Sequence, residues 1–186
     1  GFTVESGGKP IADLDPDQLP PTVVDADGLR LLVEVPEWYL RLPALSVLTP
    51  HPGEMAFLTG LSIDDVQSDR IGVASHFASE WGHIVVLKGA FTVVSTPDSN
   101  VTVHPFATSA LACAGTGDVL AGLIAGLLAQ GMQPYQAAVA GTFVHGLAGE
   151  IALSEVGTAA SVLASDVLDM IPKAISSIMA QFATRN

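Results

Sequence analysis

The chain has 186 residues, of which 49% are hydrophobic and 14% are charged, and this composition excludes a disordered protein. At this length we expect one globular domain with a single hydrophobic core. Seven Lys and Arg against 19 Asp and Glu give a formal net charge of −12, which excludes a protein that binds nucleic acid through a basic surface. A small phosphorylated ligand is compatible with this charge, because backbone N–H groups at a helix N-terminus can bind phosphate.

The predicted elements alternate between short apolar strands and helical patterns. Residues 1–21 contain glycine, proline and aspartate without periodicity, so we predict an extended segment there and a domain from 22 to 186. The predicted strands are 23–24, 45–49 and 84–87, followed by a hairpin of 92–95 and 101–103. The predicted helices are 29–39 (interrupted at Pro36), 54–59, 63–81, a helix from Asp118 to Gln130, 134–153, and 166–182 with Ser165 as its N-cap.

This alternation predicts an α/β fold with a mostly parallel sheet that is covered by helices on both faces. In such sheets ligands bind at the carboxyl ends of the strands. Polar clusters follow Val24, Thr49 and Leu87, each at a predicted strand end. We therefore expect these three clusters to converge on one cleft.

Residues 114–118, Ala-Gly-Thr-Gly-Asp, open a predicted helix and carry the sharpest chemical signal in the chain. The small residues Ala114, Gly115, Thr116 and Gly117 allow the backbone to approach a ligand closely, and the free N–H groups of a first helical turn attract anions. A carboxylate at Asp118 would repel a phosphate unless it acts as a base toward the phosphate acceptor, so the motif favours phosphoryl transfer. The alternative is an aspartate that only stabilises the helix N-terminus.

Two other polar clusters provide further candidates. His51 could hydrogen-bond a substrate and Glu54 could hold a hydrated Mg²⁺ beside a nucleotide, with turn chemistry and a surface histidine as the alternative. Lys88 is suited to a phosphate, although a solvated loop lysine is the commoner case. Asp25 and Asp27 face opposite sides of an extended backbone, so we assign Asp25 to Mg²⁺ or phosphate and Asp27 to capping of the next helix.

No signal segment opens the chain, and its one cysteine, Cys113, cannot form an intramolecular disulfide. The longest wholly apolar or glycine stretch near the centre, 119–129, is 11 residues, whereas a membrane helix needs about 20. The sequence therefore predicts a cytoplasmic protein that does not bind a membrane.

Four motifs, in this order and spacing, resemble the NAD(P)H-hydrate dehydratase family of the ribokinase-like superfamily. They are residues 25–27 (Asp-Ala-Asp), 48–54 (Leu-Thr-Pro-His-Pro-Gly-Glu), 87–90 (Leu-Lys-Gly-Ala) and 115–122 (Gly-Thr-Gly-Asp-Val-Leu-Ala-Gly). The resemblance runs from about residue 21 to the C-terminus and implies a three-layer α/β/α fold. Family members usually have earlier strands and a Gly-Pro-Gly motif, so we expect the C-terminal two-thirds of that fold, and Gly1 fits a chain that starts inside it.

The resemblance implies an enzyme that uses ADP or ATP, with Mg²⁺, to dehydrate the (6S) hydrate of NADH or NADPH by phosphorylating its C6 hydroxyl and eliminating phosphate. Asp118 matches the family's base, which contacts the hydrated nicotinamide, and His51 matches a substrate-binding histidine. Glu54 aligns loosely with the glutamate that positions Mg²⁺ in related sugar kinases. The nucleotide-binding positions implied by the match are Lys88, Gly89, Ala90, Phe91, Thr92 and Gly117.

Two alternatives remain beside the dehydratase. A kinase for a vitamin alcohol shares the Gly-x-Gly-Asp motif but more often has Asn where His51 stands. A shortened chain that binds nucleotide or a partner without catalysis would follow from the absent early strands, since exposed strand edges pair with other chains. The family often forms homo-oligomers, so we expect one here. The motifs do not choose between ADP and ATP, or between the two hydrates.

Overall fold

The computed structural model describes residue 16 and residues 19–183, with the exception of the Phe182 side chain. Most of the predicted extended segment 1–21 lies outside the described residues. The strands are β1 (Val23–Val24), β2 (Val47–Leu48), β3 (Ile84–Leu87), β4 (Val93–Ser95) and β5 (Val101–Val103). The helices are α1 (Asp27–Leu32), α2 (Pro52–Thr59), α3 (Ile63–Ser68), α4 (Arg70–Trp81), α5 (Thr116–Ala129), α6 (Pro134–Val156) and α7 (Ala164–Ala183). Short 3₁₀ turns cover Trp38–Arg41, Ser109–Ala112 and Ala159–Ser161.

The five strands form one sheet in the order β1-β2-β3-β4-β5. β1, β2 and β3 are parallel, and Val47 of β2 lies opposite Val23 on one side and Ile84 on the other. β4 and β5 then extend the sheet as an antiparallel hairpin. The predicted α/β class and the predicted hairpin are both confirmed.

Helices cover both faces of this sheet because the apolar strand residues alternate between the faces. Leu48, Val85 and Leu87 pack in one core with residues of α1 to α4. Val47, Ile84 and Val86 pack in a second core with residues of α5 and α6. A third cluster joins α6 to α7. The arrangement is the three-layer α/β/α fold that the resemblance implies.

The first predicted helix, 29–39, is wrong. α1 ends at Leu32, and after Pro36 the backbone of Glu37 turns left-handed, with φ 52°, so that Trp38 packs on Trp81 at a ring distance of 5.0 Å. Proline lacks the N–H that a continuing helix needs, and aromatic burial favours the turn. Asp27 is the first residue of α1 and not its cap.

The predicted helix 63–81 is helical on both sides of Asp69 but divides there into α3 and α4. Asp69 has φ −141° and ψ 67°, and its side chain accepts a hydrogen bond from the Gly72 N–H at 2.8 Å. Aspartate competes with helix hydrogen bonds in this way, and here it starts a new helix.

Several predicted boundaries shift. β2 is shorter than 45–49, since Leu45 has a left-handed φ of 56°. α6 continues past residue 153 until Gly157, whose φ is 86°. Ser165 lies inside α7 and is not its N-cap, and Asp166 accepts from the Leu163 N–H at 2.8 Å.

In the part of the chain that the structure describes, α6 alone has the length and apolar composition of a membrane span. Of its most apolar 18-residue window, 56% is buried inside the fold. α6 packs between α5 and α7 and against the sheet, which is the position of a core helix.

Candidate functional site

The polar clusters at the ends of the parallel strands converge, as predicted. Asp25 follows β1 and Lys88 follows β3, and the Lys88 Nζ lies 2.6 Å from the Asp25 Oδ1. The same ammonium group lies 3.7 Å from the Glu54 Oε2, on α2. The side chains of Lys88, Asp25 and Glu54 are 18%, 10% and 8% exposed, so this is a nearly enclosed group of one cation and two anions.

His51 caps the N-terminus of α2. Its Nδ1 accepts hydrogen bonds from the Gly53 N–H at 3.0 Å and the Glu54 N–H at 3.1 Å. The Glu54 Oε2 in turn accepts from the His51 N–H at 2.8 Å, which completes a capping box. Because Nδ1 is an acceptor, the ring proton of neutral His51 lies on Nε2, and the side chain is half exposed. That N–H faces the Glu54 Oε1, which lies 3.4 Å from the His51 Nε2.

The N-terminus of α5 is open to an anion. Its N-cap is Gly115, with φ 88°, and no side chain caps the helix. Among the described residues the N–H groups of Gly117 and Asp118 have no hydrogen-bond acceptor, whereas the Thr116 N–H is 3.4 Å from the Cys113 carbonyl oxygen. A Cβ atom added to Gly117 would lie 3.3 Å from the Lys88 Nζ. The free N–H groups of α5 and the Lys88 ammonium group therefore lie around the same position, at the start of α5.

Asp118 lies on the first turn of α5 and is exposed. Its carboxylate has no hydrogen bond and no ion pair with any described residue. A Cβ atom on Gly115 would lie 4.0 Å from the Asp118 Oδ2, so the carboxylate stands over the open start of the helix. It is available to accept a proton from a bound ligand.

A cavity of about 280 Å³ extends from this cluster toward α6. Lys88, Gly89, Ala90 and Thr92 line one side of it. The other sides are formed by Thr116, Gly117 and residues of the 104–112 segment and α6. The remaining predicted site residues lie outside this lining, namely Asp25, His51, Glu54, Phe91, Ala114, Gly115 and Asp118.

Two buried histidines line the cavity. Burial lowers the pKa of His145 to about 4, although its hydrogen bond to the Thr116 carbonyl oxygen opposes this shift and the Lys88 charge adds to it. Burial also lowers the pKa of His104 to about 4. Neutral His145 must carry its proton on Nε2, which lies 2.9 Å from the Thr116 carbonyl oxygen, and it thereby ties α6 to the first turn of α5.

Sequence reasoning missed several side chains around the cavity. The His104 Nε2 and the Thr142 Oγ1 are buried and have no hydrogen-bond partner within the described residues. Arg70 contacts the turn that carries Lys88, through the carbonyl oxygens of Leu87 and Lys88. No spacing signal marks His104 or Thr142, and Arg70 falls inside the predicted helix 63–81, so its position at the start of α4 was not visible in the sequence.

Of the two predicted metal ligands, Asp25 and Glu54, only part is free to bind an ion. Both carboxylate oxygens of Glu54 face His51, and the Asp25 Oδ1 is held by Lys88. The Asp25 Oδ2 is buried without a partner, and the described part of the chain has no group of three His, Cys, Asp or Glu side chains that could hold a metal ion. One free carboxylate oxygen fits a Mg²⁺ ion that takes its other ligands from phosphate and water.

Comparison with known proteins gives consistent results. A model of the NAD(P)H-hydrate dehydratase family matches residues 4–173. The bifunctional NAD(P)H-hydrate repair enzyme Nnr of Moorella thermoacetica is 40% identical over 174 residues, which cover 94% of this chain and 33% of that protein. The ADP-dependent (S)-NAD(P)H-hydrate dehydratase of Neisseria meningitidis is 40% identical over 149 residues, which cover 79% of this chain and 50% of that protein.

A crystal structure of the ADP/ATP-dependent NAD(P)H-hydrate dehydratase from Bacillus subtilis, co-crystallized with ATP and Mg²⁺, superposes with a TM-score of 0.72. The two chains are 30% identical, and the match covers 84% of this chain and 55% of that one. The chain thus spans about one third to one half of the curated relatives' length. Because the family model extends over most of the sequence, including all four motifs, the chain belongs to the NAD(P)H-hydrate dehydratase family.

Proposed function

We propose that this chain dehydrates (6S)-NAD(P)H hydrate to NAD(P)H with ADP or ATP as phosphoryl donor. The observation that carries this proposal is the meeting of Lys88 with the uncapped N-terminus of α5, beside the unpaired carboxylate of Asp118. A cation and free N–H groups suit a transferring phosphoryl group, and a carboxylate suits its acceptor. The relatives in Neisseria meningitidis and Bacillus subtilis are named as NAD(P)H-hydrate dehydratases.

The cavity beside Lys88 suits the nucleotide. Its phosphates would lie against the Lys88 ammonium and the Gly117 N–H, and its nucleoside would enter between Ala90, Thr92 and α6. This assignment keeps Asp118 outside the cavity, at the side from which a second substrate can approach. The hydrated nicotinamide would then contact Asp118 and the exposed part of the His51 ring.

The reaction follows from these positions. Asp118 removes the proton of the C6 hydroxyl, whose oxygen forms a bond to the terminal phosphorus as the bond from that phosphorus to the nucleotide breaks. The product nucleotide has one phosphate fewer. The ring nitrogen then supplies its electron pair to expel phosphate from C6, and loss of a C5 proton completes NAD(P)H. Lys88 and the N–H groups of α5 stabilise the negative charge that spreads over the transferring group.

The carboxylates near Lys88 would hold Mg²⁺ through the Asp25 Oδ2 and, by way of water, Glu54. When bound, the ion neutralises phosphate charge. Lys88 keeps its contact with the Asp25 Oδ1 in this arrangement, because a different oxygen of the carboxylate is used. We also propose that the protein works in the cytoplasm as a homo-oligomer.

The test compares Asp118→Asn with Asp169→Asn, a change to an exposed aspartate on α7. We expect Asp118→Asn to lower kcat for nicotinamide absorbance recovery at least 100-fold, since general-base catalysis contributes about that factor. Asp169→Asn should retain the rate of the unaltered chain. Full activity of Asp118→Asn would refute the mechanism, and a phosphorylated alcohol that accumulates without dehydration would identify a kinase instead.

A further inference from the structure

We propose that Arg70 is a positioning residue for the nucleotide, because its guanidinium holds the turn after β3 so that the Gly89 N–H faces a ligand phosphate. The inference rests on the proposed function, which supplies the nucleotide. Arg70 is the first residue of α4, on the face of the sheet opposite α5 and α6. It does not line the cavity but lies in a shallow cleft behind it, with Ala90 and Phe91.

The guanidinium makes three hydrogen bonds. Its Nη2 donates to the Leu87 carbonyl oxygen at 2.9 Å and to the Lys88 carbonyl oxygen at 3.3 Å. Its Nη1 donates to the Gln67 Oε1 at 2.9 Å, which fixes the plane of the group. Arg70 therefore holds two consecutive carbonyl groups at the point where the strand ends and the phosphate-binding turn begins.

This contact sets the direction of the next backbone donor. In a trans peptide the C=O and the N–H point to opposite sides, and the described residues contain no cis peptide. Because the Lys88 carbonyl oxygen points to Arg70, the Gly89 N–H points away from Arg70. That N–H has no acceptor in the described part of the chain, and Gly89 lines the cavity. A free donor thus lies at the wall of the cavity that Lys88 also lines.

Gly89 is the residue that this contact requires. Its φ is +141°, which side chains rarely adopt, and a Cβ atom there would lie 3.1 Å from the Arg70 Nη1. A larger residue would push the guanidinium away from the turn. The Lys-Gly pair of the motif and Arg70 therefore form one structural unit, although they are distant in sequence.

The charge of Arg70 is otherwise hard to account for. A cation on the first helical turn is unfavourable with the helix dipole, and burial lowers the pKa of Arg70 below its ordinary value. No described carboxylate lies within ion-pair distance of it. An unneutralised guanidinium behind the turn adds positive potential where the chain, with a net charge of −12, must attract an anion.

Calorimetric titration of the full chain with ADP and Mg²⁺ tests the proposal. We expect Arg70→Gln to weaken ADP binding at least tenfold. Arg70→Lys, which keeps the charge but lacks the fork that holds two carbonyl groups, should weaken it at least threefold. The matched control is Arg41→Gln, which removes an exposed arginine that lines neither the cavity nor the cleft behind it, and it should change affinity less than twofold.

The amide resonance of Gly89 separates positioning from general stability. ADP should shift it strongly in the unaltered chain and weakly in both Arg70 variants, while thermal unfolding confirms that each variant is folded.

Tight ADP binding by folded Arg70→Gln, or no ADP binding by the unaltered chain, would overturn the inference. Should Arg70→Gln not fold, an unchanged Gly89 shift in Arg70→Lys would overturn it equally. If ADP binds and Arg70→Gln weakens it, but no hydrate is dehydrated, the proposed function fails and the inference stands.

Discussion

Acidification should destabilise this protein well above the pH at which its carboxylates titrate. His104 and His145 have folded-state pKa values of about 4 because both rings are buried, whereas the unfolded value is about 6.5. At pH 5 the unfolded chain binds protons at both rings and the folded chain does not. Stability is therefore fully present above pH 6.5 and is lost as the pH falls toward 4.

The expected loss can be worked out for each ring. Between pH 7.5 and pH 5, a histidine with these two pKa values lowers the free energy of unfolding by about 2 kcal/mol. The two rings together give about 4 kcal/mol, which is a large part of the stability of an ordinary domain. The pKa of His83 is also lowered by burial, so it adds to the loss in the same direction.

Urea unfolding at a series of pH values measures this loss. His145→Gln keeps an N–H donor toward the Thr116 carbonyl oxygen but does not titrate, so the change in unfolding free energy between pH 7.5 and 5 should shrink by about 2 kcal/mol. His76→Gln removes an exposed histidine of α4 and should leave the change as it is in the unaltered chain. If His145→Gln keeps the full pH dependence, the neutral buried state of His145 is wrong.

Four further substitutions follow from the surroundings of single residues. Lys88→Met should weaken ADP binding about tenfold or more in calorimetry, since a hydrogen bond between charged groups contributes about 1.5–3 kcal/mol. Gly146→Ala should lower the free energy of unfolding by about 1–3 kcal/mol in urea titrations, because its Cβ would overlap the Phe106 ring. Gly126→Ala, a helical glycine with open space around it, should instead raise stability by about 1 kcal/mol. Asp69→Ala should cost about 1 kcal/mol of unfolding free energy by removing the α4 cap, and an unchanged melting curve would argue against that cap.

The sequence was sufficient to predict contacts that the sheet itself creates. Asp25, Glu54 and Lys88 each follow a predicted strand, and parallel strands bring their carboxyl ends together, so their meeting needed no knowledge of side-chain packing. The open N-terminus of α5 could also be predicted from local sequence, because the N-cap residue is Gly115, which has no side chain that could cap the helix.

The same reasoning from sequence could not predict contacts between distant segments of the chain. Arg70 reaches carbonyl oxygens 17 and 18 residues further along the chain, and only the packing of α4 on β3 brings them together. The left-handed backbone at Glu37 and Leu45 also lies inside a predicted helix and a predicted strand that residue propensities favoured. In both cases tertiary packing outweighs local preference.

Oxygen tracing tests the central claim most directly. (6S)-NADPH hydrate that carries ¹⁸O in its C6 hydroxyl is incubated with the unaltered chain, Mg²⁺ and either ADP or ATP, and the released phosphate is analysed by mass spectrometry. If the hydroxyl is phosphorylated before elimination, the label appears in inorganic phosphate, one atom for each NADPH formed. Recovery of the label in water, or no NADPH formation from a chain that binds the nucleotide, would contradict the account.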